Sequence, residues 1–117
     1  MHEIGIVQST LELAARCARD AGARRISEIR MRVGRMTGVV PEAIEHAFAV
    51  LRQGTIASEA VLTIDYVSGR AWCHGCSVEF AVDGLLSECP TCCETSFDLR
   101  AGQELELVSL EVVDDVS

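Results

Sequence analysis

Two pairs of cysteines in the second half of the chain restrict its fold more than any other feature. Cys73 and Cys76 are separated by two residues, as are Cys89 and Cys92, and twelve residues lie between the pairs. Two intervening residues let one tight turn direct both sulfurs of a pair toward the same point. Two such turns facing each other supply the four thiolates of a structural zinc site, with zinc–sulfur distances of about 2.3 Å. The spacing therefore predicts a zinc ribbon, with no open coordination position for catalysis.

Two questions about these ligands stay open on spacing alone. Four thiolates also suit a single redox iron, and a colourless protein would exclude that metal. Cys93 follows the second pair directly and could replace Cys92, although that pair would then be separated by three residues. We therefore expect Zn²⁺ and rank Cys93 second as the fourth ligand.

The residues around the cysteines contain little apolar material for a core of their own. Aromatic residues form only 4% of the 117-residue chain, which is long enough for one modest core or for a small domain plus a stapled module. Metal binding contributes roughly 10–16 kcal/mol in small zinc modules and would substitute for the missing core. Removing the metal is therefore expected to unfold about residues 70–101 and to spare the rest.

The chain is acidic, with a formal net charge of −8 at pH 7. Such a charge repels phosphate backbones, so we expect no nucleic-acid partner despite the zinc-ribbon spacing. Neither an apolar run long enough to span a bilayer nor a secretory signal is visible, so we expect no membrane partner and a cytoplasmic location. Thiols stay reduced in that compartment, which favours a metal over two disulfides.

Apolar positions at steps of three and four predict two helices. The first begins near the first residue and ends at Gly22, and the second begins at Pro41 and ends at Gly54. Cys17 is interpreted as a small core residue of the first helix. The predicted buried face of that helix consists of Ile4, Val7, Leu11, Ala14, Ala15 and Ala18, widened by Leu13 and Cys17.

Alternating apolar residues predict strands over 29–33, 62–66 and 104–113, and a shorter one over 78–82 between the cysteine pairs. In the third strand the alternation changes phase, which predicts a bulge between Leu107 and Val108. The predicted fold class is α+β: a small mixed three-stranded sheet with two helices, plus an inserted zinc-ribbon module. Residues 1–69, completed by a returning strand over 102–117, are expected to form the α+β domain, and 70–101 the zinc ribbon.

The first three residues offer a different kind of metal site. The terminal amine of Met1, an amide nitrogen and the imidazole of His2 can close fused chelate rings, and Glu3 can add an amide nitrogen or a carboxylate oxygen. Planar nitrogen donors suit Ni²⁺ or Cu²⁺ rather than Zn²⁺. From these residues alone, a solvated terminal histidine is the more common interpretation. His46 and His74 are expected to face solvent, and no catalytic set is visible, so we do not expect an enzyme.

Several segments taken together resemble the HypA/HybF family of hydrogenase nickel-incorporation proteins over essentially the whole chain. They are the Met1-His2-Glu3 start, the helix segment 6–13, the strand segment 29–34, the segment TGVVPEA at 37–43, Phe48 with Gly54-Thr55, the two cysteine pairs and the end at 104–112. Cys93 departs from the family pattern, which commonly has Gly or His after the second pair.

The resemblance implies a nickel metallochaperone for maturation of the [NiFe]-hydrogenase large subunit. It implies that His2, the adjoining backbone nitrogens and Glu3 bind Ni²⁺, and that Cys73, Cys76, Cys89 and Cys92 bind structural Zn²⁺. The implied partners are the GTPase HypB, the hydrogenase large subunit and, in some organisms, urease accessory proteins. The alternatives are a zinc-ribbon adaptor that binds a protein partner without metal transfer and a rubredoxin-like electron carrier. An adaptor has no need of His2.

Overall fold

A computed structural model of the chain describes residues 3–82 and 87–113. Its helices are α1 (Glu3–Asp20) and α2 (Pro41–Leu51), and a short 3-10 turn covers Arg35–Thr37. Its strands are β1 (Arg25–Gly34), β2 (Val61–Val67), β3 (Gly69–Cys73), β4 (Val78–Val82), β5 (Leu99–Ala101) and β6 (Leu105–Val113). Within these ranges, no helix is both long enough and apolar enough to cross a membrane.

The strands form two three-stranded sheets, with the orders β2-β1-β6 and β4-β3-β5. In the first sheet, side chains of β1 and β2 meet in ascending order, since Glu28 bonds Thr63 and Arg30 bonds Asp65. The contacts between β1 and β6 run in the opposite order: the Ser27 hydroxyl donates to the Glu111 carbonyl, and the Arg32 guanidinium donates to the Glu106 carboxylate. The contacts therefore indicate a parallel and an antiparallel neighbour for β1, and the predicted α+β class with a mixed sheet is confirmed.

Contacts divide the described residues into two compact units. The helical unit comprises 3–32, 39–65 and 106–113, and the cysteine unit comprises 33–38, 66–82 and 87–105. The domain boundaries predicted at 69/70 and 101/102 stay a prediction.

In the helical unit, α1 packs against α2 and ends where the sequence predicts. Gly22 has a φ of +76°, and the N–H groups of Gly22 and Ala23 bond the carbonyls of Arg19 and Ala18 at 2.9 Å each. This is the Schellman pattern, which favours glycine at the left-handed position. The second helix begins at Pro41, whose missing N–H has no partner in a first turn. Local signals thus set the helix ends.

The buried face of α1 is narrower than predicted, and three assignments to it are wrong. Val7, Ala14 and Ala18 are buried, but Ile4 is 63% exposed, and Leu13 and Cys17 are exposed as well. At about 100° per residue, Cys17 lies about 80° and Leu13 about 120° around the helix from Val7, and Ile4 lies about 60° away in the first turn. An apolar side chain so far from the centre of the stripe does not reach the core.

The cysteine unit has a small core between its strands. β3 pairs antiparallel with β4, from Gly69 opposite Val82 to Cys73 opposite Val78, and also with β5. The predicted strand over 78–82 is confirmed. β3 was not predicted because it ends in the consecutive apolar residues Ala71, Trp72 and Cys73 and so lacks alternation, and β5 was not predicted because it has only three residues. The core consists of Ala71, Cys73, Phe80, Val82 and Cys89, with Met36, Cys76 and Leu99 packed against it.

Three glycines of the cysteine unit allow three backbone segments to approach closely. A Cβ on Gly34 would lie 2.0 Å from the carbonyl oxygen of Gly102, and a Cβ on Gly102 would lie 2.7 Å from the Cα of Gly69. The N–H of Met36 donates to the Gly102 carbonyl at 2.7 Å. Gly102 also has a φ of +108°, which other residues rarely adopt. Only glycine fits at this crossing.

Candidate metal centre

The cysteine unit brings the four predicted cysteines together. The sulfurs of Cys73, Cys76, Cys89 and Cys92 all lie within 4.8 Å of one another, and those of Cys73 and Cys92 are 3.6 Å apart. A tetrahedral ion with bonds of about 2.3 Å separates its sulfur ligands by about 3.8 Å. The four sulfurs therefore fit a single metal ion as a complete ligand set.

Each cysteine pair lies in a tight turn that is followed by a residue in the left-handed region. Ser77 has a φ of 54° after the first pair, and Cys93 has a φ of 64° after the second. The N–H of Cys76 donates to the sulfur of Cys73 at 3.4 Å, and the N–H of Cys93 donates to the carbonyl of Cys89 at 2.8 Å. Because the two turns end alike, both direct their sulfurs inward.

The surroundings of Cys89 and Cys76 shift the pKa values of these two thiols in opposite directions. Backbone N–H groups of Cys92 and Thr91 lower the pKa of Cys89 to about 7. Hydrogen bonding with the sulfurs of Cys92 and Cys73 raises the pKa of Cys76 to about 12. The cluster therefore retains protons at neutral pH, and a metal ion that binds all four sulfurs as thiolates must displace them.

Two further cysteines lie outside the group. Cys93 is exposed in the turn after the second pair, and Cys17 is exposed on α1. Neither belongs to the set of four converging sulfurs, the one cluster of potential metal ligands in the described ranges 3–82 and 87–113. Their exposure leaves both thiols accessible to solvent.

A polar network supports the first cysteine turn. Nε2 of His74 lies 2.9 Å from Asp98, and Arg100 donates two hydrogen bonds of 2.9 Å to the same carboxylate. The Arg100 guanidinium also lies over the Trp72 ring, 5.0 Å from its centroid. Arg100 lowers the pKa of Asp98, with a smaller contribution from His74. His74 is exposed, as predicted, but no sequence spacing indicates its contact with a carboxylate 24 residues away.

The predicted nickel ligands lie at the other end of the chain. Met1 and His2 are outside the described residues. Glu3 begins α1, and its Oε2 accepts a hydrogen bond of 3.3 Å from the N–H of Val40, the N-cap residue of α2. Glu3 is therefore the one predicted nickel ligand among the described residues, and His46 is exposed on α2 as predicted.

The fold and the four-sulfur group together define a class: small α+β proteins with a four-cysteine module of the zinc-ribbon kind. A family profile described as "Hydrogenase/urease nickel incorporation, metallochaperone, hypA" matches residues 1–112. The chain belongs to this HypA family.

Similar proteins support the assignment along the whole chain. Proteins named hydrogenase maturation factor HypA from Picosynechococcus sp. and Geobacter metallireducens are 39% and 38% identical to it. The alignments cover 97% and 96% of this chain and 100% and 99% of those relatives.

Two solved structures share the fold. The solution structure of the Ni metallochaperone HypA from Helicobacter pylori has a TM-score of 0.69 at 24% identity, over 98% of this chain and 100% of that one. A second solution structure, of a HypA protein, has a TM-score of 0.70 at 25% identity, over 98% of both chains. At such low identity the first likeness is evidence for the fold alone.

Proposed function

We propose that the chain binds Ni²⁺ through Met1, His2 and Glu3, and that Cys73, Cys76, Cys89 and Cys92 hold structural Zn²⁺. As a member of a nickel-incorporation family, the chain is a nickel metallochaperone for hydrogenase maturation. The observation that carries this conclusion is the family match over residues 1–112. Among the described residues, the single cluster of potential metal ligands consists entirely of sulfurs. A second, exchangeable metal then needs other donors.

Ligand chemistry supports the assignment of the two metals. Four thiolates form a closed tetrahedral set, which suits Zn²⁺ and leaves no position for exchange. Amine, amide and imidazole nitrogens suit Ni²⁺. A terminus also offers few ligands, so an ion bound there can be passed on. Cys92 is preferred over Cys93 as the fourth zinc ligand, because its sulfur belongs to the converging set.

The Glu3 carboxylate supports a nickel site at the terminus. It follows His2 directly in sequence, and the Val40 N–H holds it at the beginning of α2. A carboxylate fixed in this way can supply an oxygen to an ion bound by the preceding residue. Val40 contributes only this backbone N–H, because its apolar side chain has no atom that could bind a metal ion.

Nickel binding is expected to depend on pH. The imidazole of His2 must be neutral and the participating nitrogens must lose protons, so affinity should fall below about pH 6.5, near the ordinary imidazole pKa. We further propose that the chain acts in the cytoplasm with hydrogenase-maturation partners. The GTPase HypB and the hydrogenase large subunit are the proposed ones, and urease accessory proteins are a further candidate. Residues 1–69 with 102–117 form the proposed nickel domain and 70–101 the zinc domain.

Nickel titration of the zinc-loaded chain tests the proposal, with the wild type compared to His2→Ala at equal zinc content. We expect a large, selective loss of nickel affinity in the variant. His46→Ala removes an exposed histidine of α2 and is the matched control. Equal nickel affinity in His2→Ala and the wild type would contradict the terminal site and favour an adaptor that transfers no metal. Full affinity in a chain with an extended amino terminus would contradict it as well.

A further inference from the structure

Phe97 is the most exposed large apolar side chain in the described ranges 3–82 and 87–113. It is 92% exposed, whereas Phe48 and Phe80 are 6% and 5% exposed. Aromatic residues are scarce in this chain, and an aromatic ring in water contributes nothing to the core. Exposed aromatic side chains of this kind commonly anchor a partner.

The backbone on both sides of Phe97 is fixed by hydrogen bonds. Ser96 is buried; its Oγ donates to the Trp72 carbonyl and accepts from the Asp98 N–H at 3.2 Å. The N–H of Trp72 donates to the Asp98 carbonyl at 2.9 Å, and the N–H of Ser96 donates to Ser87 at 2.8 Å. The ring is therefore held outward by an ordered backbone, so that less entropy is lost when it binds.

The Glu94 carboxylate lines the same cavity as the Phe97 ring, and among the described residues no basic side chain pairs with it. Glu94 and Phe97 both line an open cavity of about 450 Å³, together with Cys73, His74, Thr95, Ser96 and Asp98. Glu94 Oε2 would be 3.1 Å from a Cβ on Gly75, so the carboxylate lies over the first cysteine turn. In the part of the chain that the structure describes, no Lys, Arg or His pairs with it.

Elsewhere in the cysteine unit, one arginine contacts both an aromatic ring and a carboxylate. Trp72 and Asp98 provide a ring and a carboxylate, and Arg100 satisfies both by stacking on the ring and donating two hydrogen bonds to the carboxylate. Phe97 and Glu94 provide a second ring and a second carboxylate, and no arginine of the described residues contacts this pair. A planar guanidinium stacks on aromatic faces and pairs with carboxylates, which an ammonium does less well.

We propose that Phe97 and Glu94 form a docking surface for an arginine-bearing segment of a partner protein. The arginine stacks on the Phe97 ring and donates to the Glu94 carboxylate, while neighbouring apolar atoms of the segment enter the cavity. The net charge of −8 attracts a basic segment and repels anionic membranes and nucleic acids. The surface acts independently of nickel binding at the terminus.

A peptide pair tests the proposal on the zinc-loaded full chain labelled with ¹⁵N. The probe is acetyl-Gly-Leu-Arg-Leu-Gly-amide, and its control carries neutral citrulline in place of arginine. The arginine peptide is expected to shift the amide resonances of residues 94–98, and the citrulline peptide to bind at least about fivefold more weakly, since neutral citrulline cannot donate a charge-assisted hydrogen bond. Shifts confined to other residues, or equal binding of both peptides, would overturn the proposal.

Variants separate the ring from the charge. Phe97→Leu keeps an apolar side chain without a ring, and Glu94→Gln keeps the shape without the charge; each should weaken the arginine peptide severalfold at unchanged zinc and nickel content. Val50→Ala, which shortens an exposed side chain of α2, is the matched control and should bind as the wild type does. Wild-type affinity in Phe97→Leu and Glu94→Gln, or an equal loss in Val50→Ala, would overturn the assignment of this surface.

Discussion

The helical unit and the cysteine unit are stabilised in different ways. In the ranges that the structure describes, thirteen buried apolar residues belong to the helical unit and six to the cysteine unit, and two of those six are the metal-binding candidates Cys73 and Cys89. Burial of apolar side chains can therefore hold the first unit, because helices and a sheet enclose them. The second unit has only a small core, and a metal ion bound by its four sulfurs would add stability that this core does not supply. One chain thus combines two independent sources of stability.

The largest expected effect comes from removing a cysteine ligand. Cys73→Ser should abolish tight metal binding and unfold the cysteine unit, with a loss of roughly 10 kcal/mol of metal-derived free energy. Trp72 is the single tryptophan of the chain and lies in β3, so its fluorescence reports this unit, whereas far-ultraviolet circular dichroism reports α1 and α2. Cys17→Ser, at an exposed thiol, should change neither signal. Equal loss of the helical signal in Cys73→Ser would break the comparison.

The second effect concerns the core of the helical unit. Ile29→Ala truncates a fully buried side chain of β1 and should lower the free energy of unfolding of this unit by about 4 kcal/mol. Urea titration followed by circular dichroism measures the loss, and zinc content should stay unchanged. Val61→Ala, at an exposed position of β2, should change stability by about 0.5 kcal/mol or less. Loss of zinc from Ile29→Ala would show that the two units are not independent.

A third, smaller effect is expected at the glycine crossing of the cysteine unit. Gly102→Ala forces a left-handed φ on alanine and places its Cβ against Gly69, which should cost about 3 kcal/mol. Urea titration followed by Trp72 fluorescence should show a lower midpoint. Gly5→Ala is the matched control, since a Cβ in that part of α1 meets no atom within 4 Å, and it should stabilise by about 0.5–1 kcal/mol. An unchanged midpoint in Gly102→Ala would refute the close approach.

The smallest effect is the pH dependence contributed by Asp98. Arg100 lowers the pKa of its carboxyl in the folded state, so the stabilisation is complete above the ordinary carboxyl pKa of about 3.9 and is lost as the pH falls through the lower folded value. Asp98→Asn should weaken the cysteine unit slightly at neutral pH and reduce its loss of stability in acid. Trp72 fluorescence during acid titration at fixed zinc measures both. An acid transition identical to that of the wild type would remove Asp98 from this role.

Much of the fold could be predicted because its signals are local. Periodicity located α1, α2, β1, β2, β4 and β6, and Gly22 and Pro41 marked helix ends. The bulge predicted between Leu107 and Val108 stays a prediction. Two strands were missed: β3, which has three consecutive apolar residues where alternation would be needed, and β5, which has only three residues. The sequence also overestimated the width of the buried face of α1. The hydrophobicity of a helix does not reveal how much of its surface the packed elements around it cover.

The features of the candidate metal site also fall into two groups, those that local sequence predicts and those that depend on tertiary structure. Four thiols at this spacing predict a metal site, since each turn aims its own pair of sulfurs at one point. Tertiary structure alone decided that Asp98 supports His74, that three glycines cross, and that Phe97 points into solvent beside Glu94. The first two of these features join residues far apart in the chain, and their proximity arises only when the strands pair. Local chemistry is therefore encoded by neighbouring residues, whereas the surroundings of the metal and the surface offered to a partner depend on how distant segments meet.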